Sequence, residues 1–359
     1  MKILQVITSL HTGGAEKLVV DIVPRLQAKG HEVAVTVLNG EETPFMIELR
    51  KCHCKIYCLS MKGDYYNPLH ILRLRKIMRH YDVIHTHNSS PQLFVAIANI
   101  FCKKRIVTTE HNTSNRRRKI LGFRVIDKWM YSQYMNVICI SDKAFSNLVD
   151  YLGEKEESSK TVTIYNGIDV DRFFRATPVN GMKSDKFIIL MVAAFRKQKD
   201  QDTLVKCMKY LPSDHYELWL AGEGERIDEV RELARSEGVD EKVKFLGNRT
   251  DVPLLLKTAD VIVMSTHYEG LSLSNIEGMS SNKPFVASDV DGIHEVTVDA
   301  GILVPPQKPE VLADTIMKLS SDESYYKEVA DRCYRRARQF DISTMVEKYN
   351  QVYLSMFEK

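Results

Sequence analysis

The sequence of 359 residues contains no apolar run near the roughly 20 residues that a membrane-spanning helix needs. The opening stretch, MKILQVITSL, is too short for the apolar core of a secretory signal peptide and leads directly into HTGGAEK. Low-complexity tracts and internal repeats at solenoid periods are also missing. We therefore expect a globular, cytoplasmic protein, for which 44% apolar and 27% charged residues are ordinary values.

The seven cysteines lack the even number and regular spacing of a disulfide framework. Cys52, Cys54 and Cys58 lie close to His53 in the sequence, and such a set of side chains could bind a metal ion. The alternation in CKIYCLS instead places Cys54, Ile56 and Cys58 on one face of a short strand. We favour the strand over a metal site and expect reduced, buried thiols elsewhere.

The net charge of +3 is small but unevenly distributed. Residues 1–170 carry a net charge of +8, and residues 171–359 carry −5. A basic first half favours an anionic partner, such as membrane headgroups or a phosphate-linked acceptor. Because no aromatic stacking platform or nucleic-acid-binding motif is recognisable, we expect no nucleic-acid partner.

Short β-rich runs alternate with helical patterns along the chain. The strand candidates of the first half are KILQVIT, HEVAVTVLN, DVIHTH, RIVTTEH, NVICIS and TVTIYNG. The first helical stretch, AEKLVVDIVPRLQAKG, carries apolar residues at helical spacing, namely Leu18, Val19, Ile22 and Leu26. Alternating strands and helices predict a parallel sheet with helices on both faces.

The pattern restarts near residue 187 with FIILMVAAF and continues through YELWLAGEG, VKFLG, DVIVMST, PFVASD and GILVPP. A chain of this length also suits two hydrophobic cores better than one. We predict an α/β protein with doubly wound domains over residues 1–170 and 187–335. The polar stretch around 169–186 would link them, and residues 336–359 would form a helical tail.

The strongest chemical signal is THYEGLSLSNIEGMSSNKP, which follows the strand DVIVMST. Gly270 permits a tight turn, and free N–H groups at Leu271 and Ser272 would open a helix that attracts phosphate. In that helix Glu277 could accept hydrogen bonds from a diol such as a ribose, and Glu269 in the loop could do so from a sugar. The alternative is an acidic, solvated helix.

A second signal, VAAFRKQKDQDTL, directly follows the first strand of the second half. Arg196 and Lys199 lie at the carboxyl end of that strand. Two cations there could neutralise a departing diphosphate without any metal. The alternative is a solvated basic loop.

Three weaker features lie in the first half. Gly13 and Gly14 between a strand and a helix could meet a phosphate or form an ordinary turn. The absence of the full G-x-G-x-x-G pattern argues against a nicotinamide enzyme. His111 ends a strand and could be structural, or act in catalysis by hydrogen-bonding the donor sugar or relaying a proton. His85 and His87 share one strand face, and we favour a structural role because no third zinc ligand is evident.

Glu269-Gly270 together with Glu277 resembles the Glu-x7-Glu motif of family 4 of the retaining glycosyltransferases, whose two-Rossmann fold is called GT-B. HTGGAEK, NGIDVDRF, FLGNRTDV and PFVASDVDGIHEV also match family segments, so the resemblance covers nearly the whole chain. It implies two Rossmann-like domains facing a central cleft. It further implies that the first domain binds the acceptor, the second binds the donor, and the C-terminal helix crosses back to the first.

The resemblance also assigns roles in the second half. The family's second glutamate holds the nucleotide ribose and its first contacts the donor sugar, which places these roles on Glu277 and Glu269. Lys199 matches the diphosphate-binding lysine. The family's commonest pattern has the partner arginine where this chain has Ala194, so we expect Arg196 to substitute for it.

Further site residues follow from the same resemblance. The family has a functional histidine at the position of His111, and its loop at Gly13 and Gly14 borders the diphosphate and the acceptor. Arg249 matches a region near the nucleotide base, and Glu295 matches a glutamate of a sugar-facing loop.

The resemblance implies a metal-independent, cofactor-free retaining transfer from a nucleotide diphosphate sugar, with UDP as the default nucleotide. A glycan or lipid-linked acceptor would receive the sugar, in surface polysaccharide or glycoconjugate biosynthesis. Two alternatives stay open. One is another enzyme on this fold, a nucleotide-sugar epimerase or a phosphorylase, and the other is a non-catalytic sugar-nucleotide-binding protein.

A basic segment could place the first domain on the inner face of a membrane. Residues 116–119 are all basic and precede LGFRVIDKWMYSQY. Apolar residues there suggest one face of a helix, namely Leu121, Val125, Trp129 and Met130. Such a helix could lie on anionic lipid or pack on its own domain with its cations exposed.

Overall fold

The computed structural model describes residues 1–11, 13–61, 63–111, 122–155, 160–182, 185–212, 214–269 and 273–358. The chain divides into two compact units. The first unit combines Met1–Asn166 with Ile342–Lys359, and the second is Gly167–Asp341.

The described part of the first unit contains a sheet of seven parallel strands in the order β3-β2-β1-β4-β5-β6-β7. Its strands are β1 (Lys2–Ile7), β2 (Glu32–Asn39), β3 (Lys55–Ser60), β4 (Val83–His87), β5 (Arg105–Glu110), β6 (Asn136–Cys139) and β7 (Thr161–Thr163). Its helices are α1 (Gly14–Ala28), α2 (Pro44–Lys51), α3 (Leu69–Met78), α4 (Ser89–Cys102), α5 (Phe123–Ser132), α6 (Asp142–Leu152) and, from the C-terminal segment, α15 (Ile342–Ser355).

The side chains of β1 alternate between two buried clusters. Ile3 and Ile7 pack with α1 and α15 on one face of the sheet, whereas Leu4 and Val6 pack with α3, α4 and α5 on the other. The four apolar residues that predicted α1 are all buried in the first cluster, namely Leu18, Val19, Ile22 and Leu26. Helices therefore cover both faces of a parallel sheet, as the sequence predicts.

The described part of the second unit contains a sheet of six parallel strands in the order β10-β9-β8-β11-β12-β13. Its strands are β8 (Phe187–Val192), β9 (Tyr216–Ala221), β10 (Val243–Gly247), β11 (Val261–Met264), β12 (Phe285–Ser288) and β13 (Ile302–Val304). Its helices are α7 (Val170–Phe174), α8 (Gln201–Cys207), α9 (Ile227–Ser236), α10 (Val252–Thr258), α11 (Leu273–Ser280), α12 (His294–Thr297), α13 (Pro309–Ser321) and α14 (Glu323–Arg338), with a 3-10 turn at Asp240–Lys242. The doubly wound α/β class is thus confirmed.

The segments near the two unit boundaries have regular structure. Helix α7 lies within the stretch predicted as a linker and packs against α10 of the second unit. Helix α14 also belongs to the second unit, and the chain returns to the first unit at Ile342. There α15 packs against α1 and buries Tyr349 and Tyr353 in the first unit's core.

Two local features of the first unit go beyond what the sequence predicts. Cys54 is buried and Cys58, on the edge strand of the sheet, is exposed. Helix α5 packs through Met130 and leaves Val125 73% and Trp129 37% exposed, so these side chains do not share one buried face. The basic residues 116–119 and Leu121 lie outside the described residues. No helix among the described residues is long and apolar enough to cross a membrane.

Candidate functional site

The second sheet reverses its winding between β8 and β11. From β8 the chain moves outward through β9 and β10, then returns to place β11 on the other side of β8. In open α/β sheets ligands bind beyond the carboxyl ends of the strands at this reversal. The loops that leave β8 and β11 there carry the predicted cations and Glu269.

These two loops are hydrogen-bonded to each other. The backbone N–H of His267 donates to the carbonyl of Gln198 (3.0 Å), and the hydroxyl of Thr266 donates to the same carbonyl (2.8 Å). Ser265 Oγ donates to the carbonyl of Asp200 (2.6 Å), whose carboxylate caps α8 by accepting from the backbone N–H of Thr203 (3.2 Å). The loop conformations are therefore mutually fixed.

Lys199 and Glu269 form an ion pair across these loops, from Nζ to Oε1. The two side chains are only 15% and 9% exposed. The Thr266 hydroxyl lies 3.3 Å from the same oxygen, Oε1. Two predicted site residues thus meet, although the sequence assigned them to different parts of a donor.

Arg196 lies in the same loop but is exposed. Its carbonyl accepts from the backbone N–H of Lys199 (2.9 Å), which closes a turn between the two cations. Among the described residues the guanidinium forms no ion pair, so its charge faces solvent. The neighbouring Ala194 supplies a carbonyl to Gln201 Nε2 (3.1 Å).

Gly222 and Gly224 bring the end of β9 close to the loop after β8. Their φ angles of 144° and 155° favour glycine. A Cβ at Gly222 would collide with the carbonyl of Ala193, and one at Gly224 would collide with the carbonyl of Phe195. This G-x-G therefore supports the loop that leads to Arg196.

Glu277 lies on α11 and is partly buried. The next residue, Gly278, lets the helix approach the sheet, since a Cβ there would lie 2.9 Å from Phe285 Cδ2 and 3.1 Å from Ile262 Cγ2. The predicted phosphate-binding start of this helix, at Gly270, Leu271 and Ser272, lies outside the described residues.

Arg249 and Glu295 follow two other strands of the same sheet. Arg249 donates from Nε and Nη2 to the two carboxylate oxygens of Asp251 (2.8 and 2.6 Å). Glu295 is exposed, and its Oε2 accepts from the backbone N–H of Gly292 (2.7 Å). Both side chains are therefore oriented by contacts within their own loops.

The first sheet reverses its winding between β1 and β4. Gly13 is the N-cap of α1 after β1, and Gly14 is the first residue of that helix. Within α1, Glu16 accepts from Asn88 Nδ2 (3.3 Å), which joins the start of the helix to the end of β4. His111 directly follows β5, the next strand along. These residues again lie at strand ends of a switch point.

His111 is hydrogen-bonded to His87, from Nε2 to Nδ1 (3.0 Å). Burial lowers the pKa of His111 to about 4, that of His85 to about 3, and that of His87 well below its ordinary value. All three rings are therefore neutral near pH 7. His85 and His87 thus belong to a buried polar network, which includes Gln5, Thr109 and Tyr353.

Gln5 and Tyr353 were not predicted from sequence as site residues. Gln5 Oε1 lies 2.8 Å from His87 Nε2, and Tyr353 Oη lies 2.7 Å from His85 Nδ1. A polar residue inside the otherwise apolar run KILQVI was the available sequence signal for Gln5. Tyr353 gave no such signal, because it is distant in sequence.

Solved structures of other proteins superimpose on nearly the whole chain. A crystal structure of a glycosyltransferase from Rickettsia africae superimposes with a TM-score of 0.82 at 20% identity, over 100% of this chain and 99% of that one. Anabaena Alr3699/HepE in complex with UDP gives 0.81 at 20% identity, over 99% and 100%. The same Anabaena protein with UDP-glucose gives 0.76 at 21% identity, over the same shares. The fold is the GT-B architecture.

Two family models match the chain in succession. The model described as Glycosyltransferase Family 4 matches residues 12–172, and the model described as Glycosyl transferases group 1 matches residues 173–340. The chain belongs to the family 4-like glycosyltransferases, and its role is glycosyl transfer in glycoconjugate biosynthesis.

Relatives in the same group have diverse names. Uncharacterized glycosyltransferase MJ1607 of Methanocaldococcus jannaschii is 27% identical over 83% of this chain and 82% of that protein. N-acetyl-alpha-D-glucosaminyl L-malate synthase of Bacillus anthracis is 24% identical over 95% and 93%. UDP-Gal:alpha-D-GlcNAc-diphosphoundecaprenol alpha-1,3-galactosyltransferase of Escherichia coli is 21% identical over 83% and 81%.

Proposed function

We propose that this chain is a retaining glycosyltransferase that moves a sugar from a nucleotide diphosphate sugar to a glycan or lipid-linked acceptor. The observation that carries the proposal is the Lys199–Glu269 pair at the switch point of the second sheet. Lys199 can bind a diphosphate and Glu269 can bind sugar hydroxyls, and both lie at the carboxyl ends of neighbouring strands. UDP is the expected nucleotide, and the Anabaena protein of the same fold was solved with UDP and UDP-glucose.

The leaving diphosphate would be stabilised by Lys199 and Arg196 without a metal ion. Arg196 offers an exposed guanidinium that can bind two phosphate oxygens, and Lys199 offers a point charge on a fixed loop. Backbone N–H groups at Leu271 and Ser272, which lie outside the described residues, are predicted from sequence as further donors to the diphosphate.

The two glutamates would bind the sugar and the ribose. Within the described residues the carboxylate of Glu269 is contacted by Lys199 and Thr266 at Oε1, so Oε2 can accept a hydrogen bond from a sugar hydroxyl. Glu277, on the helix that follows, would accept hydrogen bonds from the ribose diol. Both roles are predictions from sequence that these positions support.

Other predicted residues would complete the substrate contacts. Arg249 would lie near the nucleotide base and Glu295 near the sugar, each oriented by its own loop. Gly13 and Gly14 would border the diphosphate and the acceptor, and His111 would contact the donor sugar.

Retention follows if the acceptor attacks the face that the diphosphate leaves. The bond between the anomeric carbon and the diphosphate oxygen breaks, and its electron pair stays on that oxygen. The acceptor hydroxyl oxygen bonds to the carbon, and its proton passes to the departing phosphate. Arg196 and Lys199 would favour this step by stabilising the growing negative charge.

A lipid-linked acceptor would bring the first unit to an anionic membrane surface. Helix α5 exposes Val125, Ile126 and Trp129 beside the cations Arg124 and Lys128. Co-sedimentation with anionic vesicles that weakens in Trp129→Ser, and that is absent with neutral vesicles, would support this partner. Equal sedimentation of the wild-type chain and Trp129→Ser with anionic vesicles would contradict a membrane partner at this helix.

Product analysis tests the proposed reaction. The full chain is incubated with nucleotide sugars, with and without a panel of glycan and lipid-linked acceptors, and the anomeric configuration of the product is read by NMR. We expect a product with the donor's anomeric configuration, formed only with acceptor. Conversion of the donor alone would indicate an epimerase, and inversion would contradict retention. In a parallel incubation of the glycan acceptors with inorganic phosphate, release of a sugar phosphate would indicate a phosphorylase.

A further inference from the structure

A chain of buried polar side chains crosses three neighbouring strands of the first sheet and ends at His111. Gln5 on β1 is in register with His85 on β4, and His87 on β4 is in register with Thr109 on β5. Gln5, His85, His87 and Thr109 are each fully buried. Buried polar groups are retained only when their hydrogen bonds are satisfied, so the direction of each bond in this chain is constrained.

We propose that Gln5 and His87 are positioning residues that hold His111 in the tautomer with the proton on Nε2 and the lone pair on Nδ1. The inference rests on the proposed function, in which His111 contacts the substrate. A neutral His111 of this form accepts a hydrogen bond from a sugar hydroxyl through Nδ1, and it does not donate one through that atom.

The tautomer of His111 follows from the acceptor that His87 meets on its other side, which is Gln5 Oε1. Gln5 Oε1 can only accept, so the proton of His87 lies on Nε2, 2.8 Å away. His87 Nδ1 then has a lone pair and accepts from His111 Nε2 at 3.0 Å. Both rings are neutral near pH 7, because burial lowers the pKa of each histidine.

The orientation of the Gln5 amide is coupled to a hydroxyl of the C-terminal helix. Gln5 Nε2 donates to Tyr353 Oη on α15 (3.3 Å). Tyr353 Oη then donates to His85 Nδ1 (2.7 Å), and His85 Nε2 donates to Thr109 Oγ1 (2.7 Å). Each donor meets an acceptor in this direction. Reversing the Gln5 amide would reverse every bond and leave His111 with its proton on Nδ1.

The tautomer is measurable independently of activity. In the full chain labelled with 15N-histidine, long-range proton–nitrogen spectra distinguish a protonated Nε2 from a protonated Nδ1. The His111→Asn variant identifies the His111 signals by their loss. We expect the wild-type chain at pH 7 to show a neutral His111 protonated on Nε2; protonation on Nδ1 overturns the proposal.

Three variants test which residues fix the tautomer. Gln5→Leu removes the amide and is expected to mix the two His111 tautomers. Tyr353→Phe removes a single hydroxyl, tests the anchor, and serves where Gln5→Leu does not fold. The matched control is Thr86→Val. It removes a buried hydroxyl from β4, the strand of His85 and His87, but that hydroxyl bonds to Tyr134 and not to the histidine network. An unchanged tautomer in both Gln5→Leu and Tyr353→Phe overturns the proposal.

Kinetics then connects the tautomer to the reaction. In a variant that mixes the tautomers evenly, we expect kcat to fall about twofold, in proportion to the loss of the form protonated on Nε2, with little change in the KM of the donor. Wild-type kcat in a variant with mixed tautomers would overturn the positioning role. If no donor binds or reacts with the wild-type chain, the proposed function fails, while the spectra still report the network.

Discussion

Lys199 and Glu269 are joined by an ion pair between the loops that leave two neighbouring strands, β8 and β11. Both side chains are largely buried, so each charge depends on the other for compensation. On the proposed function, a donor would offer Lys199 a phosphate and Glu269 a sugar hydroxyl in place of part of this pairing. Donor binding and the ion pair are therefore expected to be coupled.

Breaking the pair on one side should destabilise the protein more than removing both charges. Lys199→Met leaves the Glu269 carboxylate without its cation, and we expect a loss of roughly 1–3 kcal/mol in the free energy of unfolding. Lys199→Met combined with Glu269→Gln should recover part of that loss, yet remain inactive. Chemical denaturation of the wild type, both single variants and the double variant measures the coupling energy. If the losses in the free energy of unfolding of the two single variants add up to that of the double variant, the ion pair has no coupling energy.

Arg196 should contribute more to diphosphate binding than the neighbouring exposed cation, Lys197, does. We expect Arg196→Ala to raise the Kd of the donor about tenfold or more, because a charge-assisted hydrogen bond to phosphate is lost. Lys197→Ala is the matched control, since it removes an exposed cation from the next position of the same loop. Calorimetric titration with donor at two salt concentrations gives both affinities. Equal effects of the two variants would reduce the role of Arg196 to general electrostatics.

Gly224 should tolerate no side chain. With φ at 155° and a carbonyl of Phe195 where a Cβ would lie, Gly224→Ala is expected to cost roughly 2–4 kcal/mol of stability. Gly14→Ala is the control, because no atom lies within 4 Å of a Cβ there and the residue begins a helix. Thermal unfolding should show a large fall in Tm for the first variant and almost none for the second. Equal Tm values would contradict the close approach.

The buried histidines should make the protein sensitive to acid. Their pKa values are lowered in the folded state, to about 3 for His85, to about 4 for His111 and well below the ordinary value for His87. Between pH 6.5 and about 4 the unfolded chain takes up protons that the folded chain does not, so stability is present above this window and is lost as pH falls. The slope is up to about 1.4 kcal/mol per pH unit for each histidine.

Denaturation at pH 7, 6 and 5 measures that slope. His87→Gln should reduce it by about a third, because one of three such groups is removed. His80→Gln, at an exposed position of the same unit, should keep the wild-type slope. A wild-type stability that is flat over this range would contradict the neutral, buried rings.

The fold was largely predictable because its signals are local. Buried parallel strands appear as short apolar runs, and α1 appears as apolar residues at helical spacing, so the element order followed from sequence alone. Which apolar residues of α5 are buried was not predictable, because spacing indicates amphipathicity but not which neighbour covers each side chain.

The site was predictable in its residue types but not in its contacts. The sequence placed Glu269 and Lys199 at strand ends, yet nothing local indicated that they pair, since 70 residues separate them. The network behind His111 was missed for the same reason: Gln5 and Tyr353 are 348 residues apart in sequence and meet only in the folded unit.

The most direct test of the proposed function is a thermal-shift screen of the wild-type chain with nucleotide sugars and their free nucleoside diphosphates. A ligand that binds only the folded state at 100 times its Kd stabilises it by about 2.7 kcal/mol. We predict a clear rise in Tm with one UDP-sugar, strongly reduced in Glu277→Ala and retained in Glu232→Ala, which alters an exposed glutamate of α9. No rise with any donor in a well-folded sample, or the same rise in Glu277→Ala, would contradict the account.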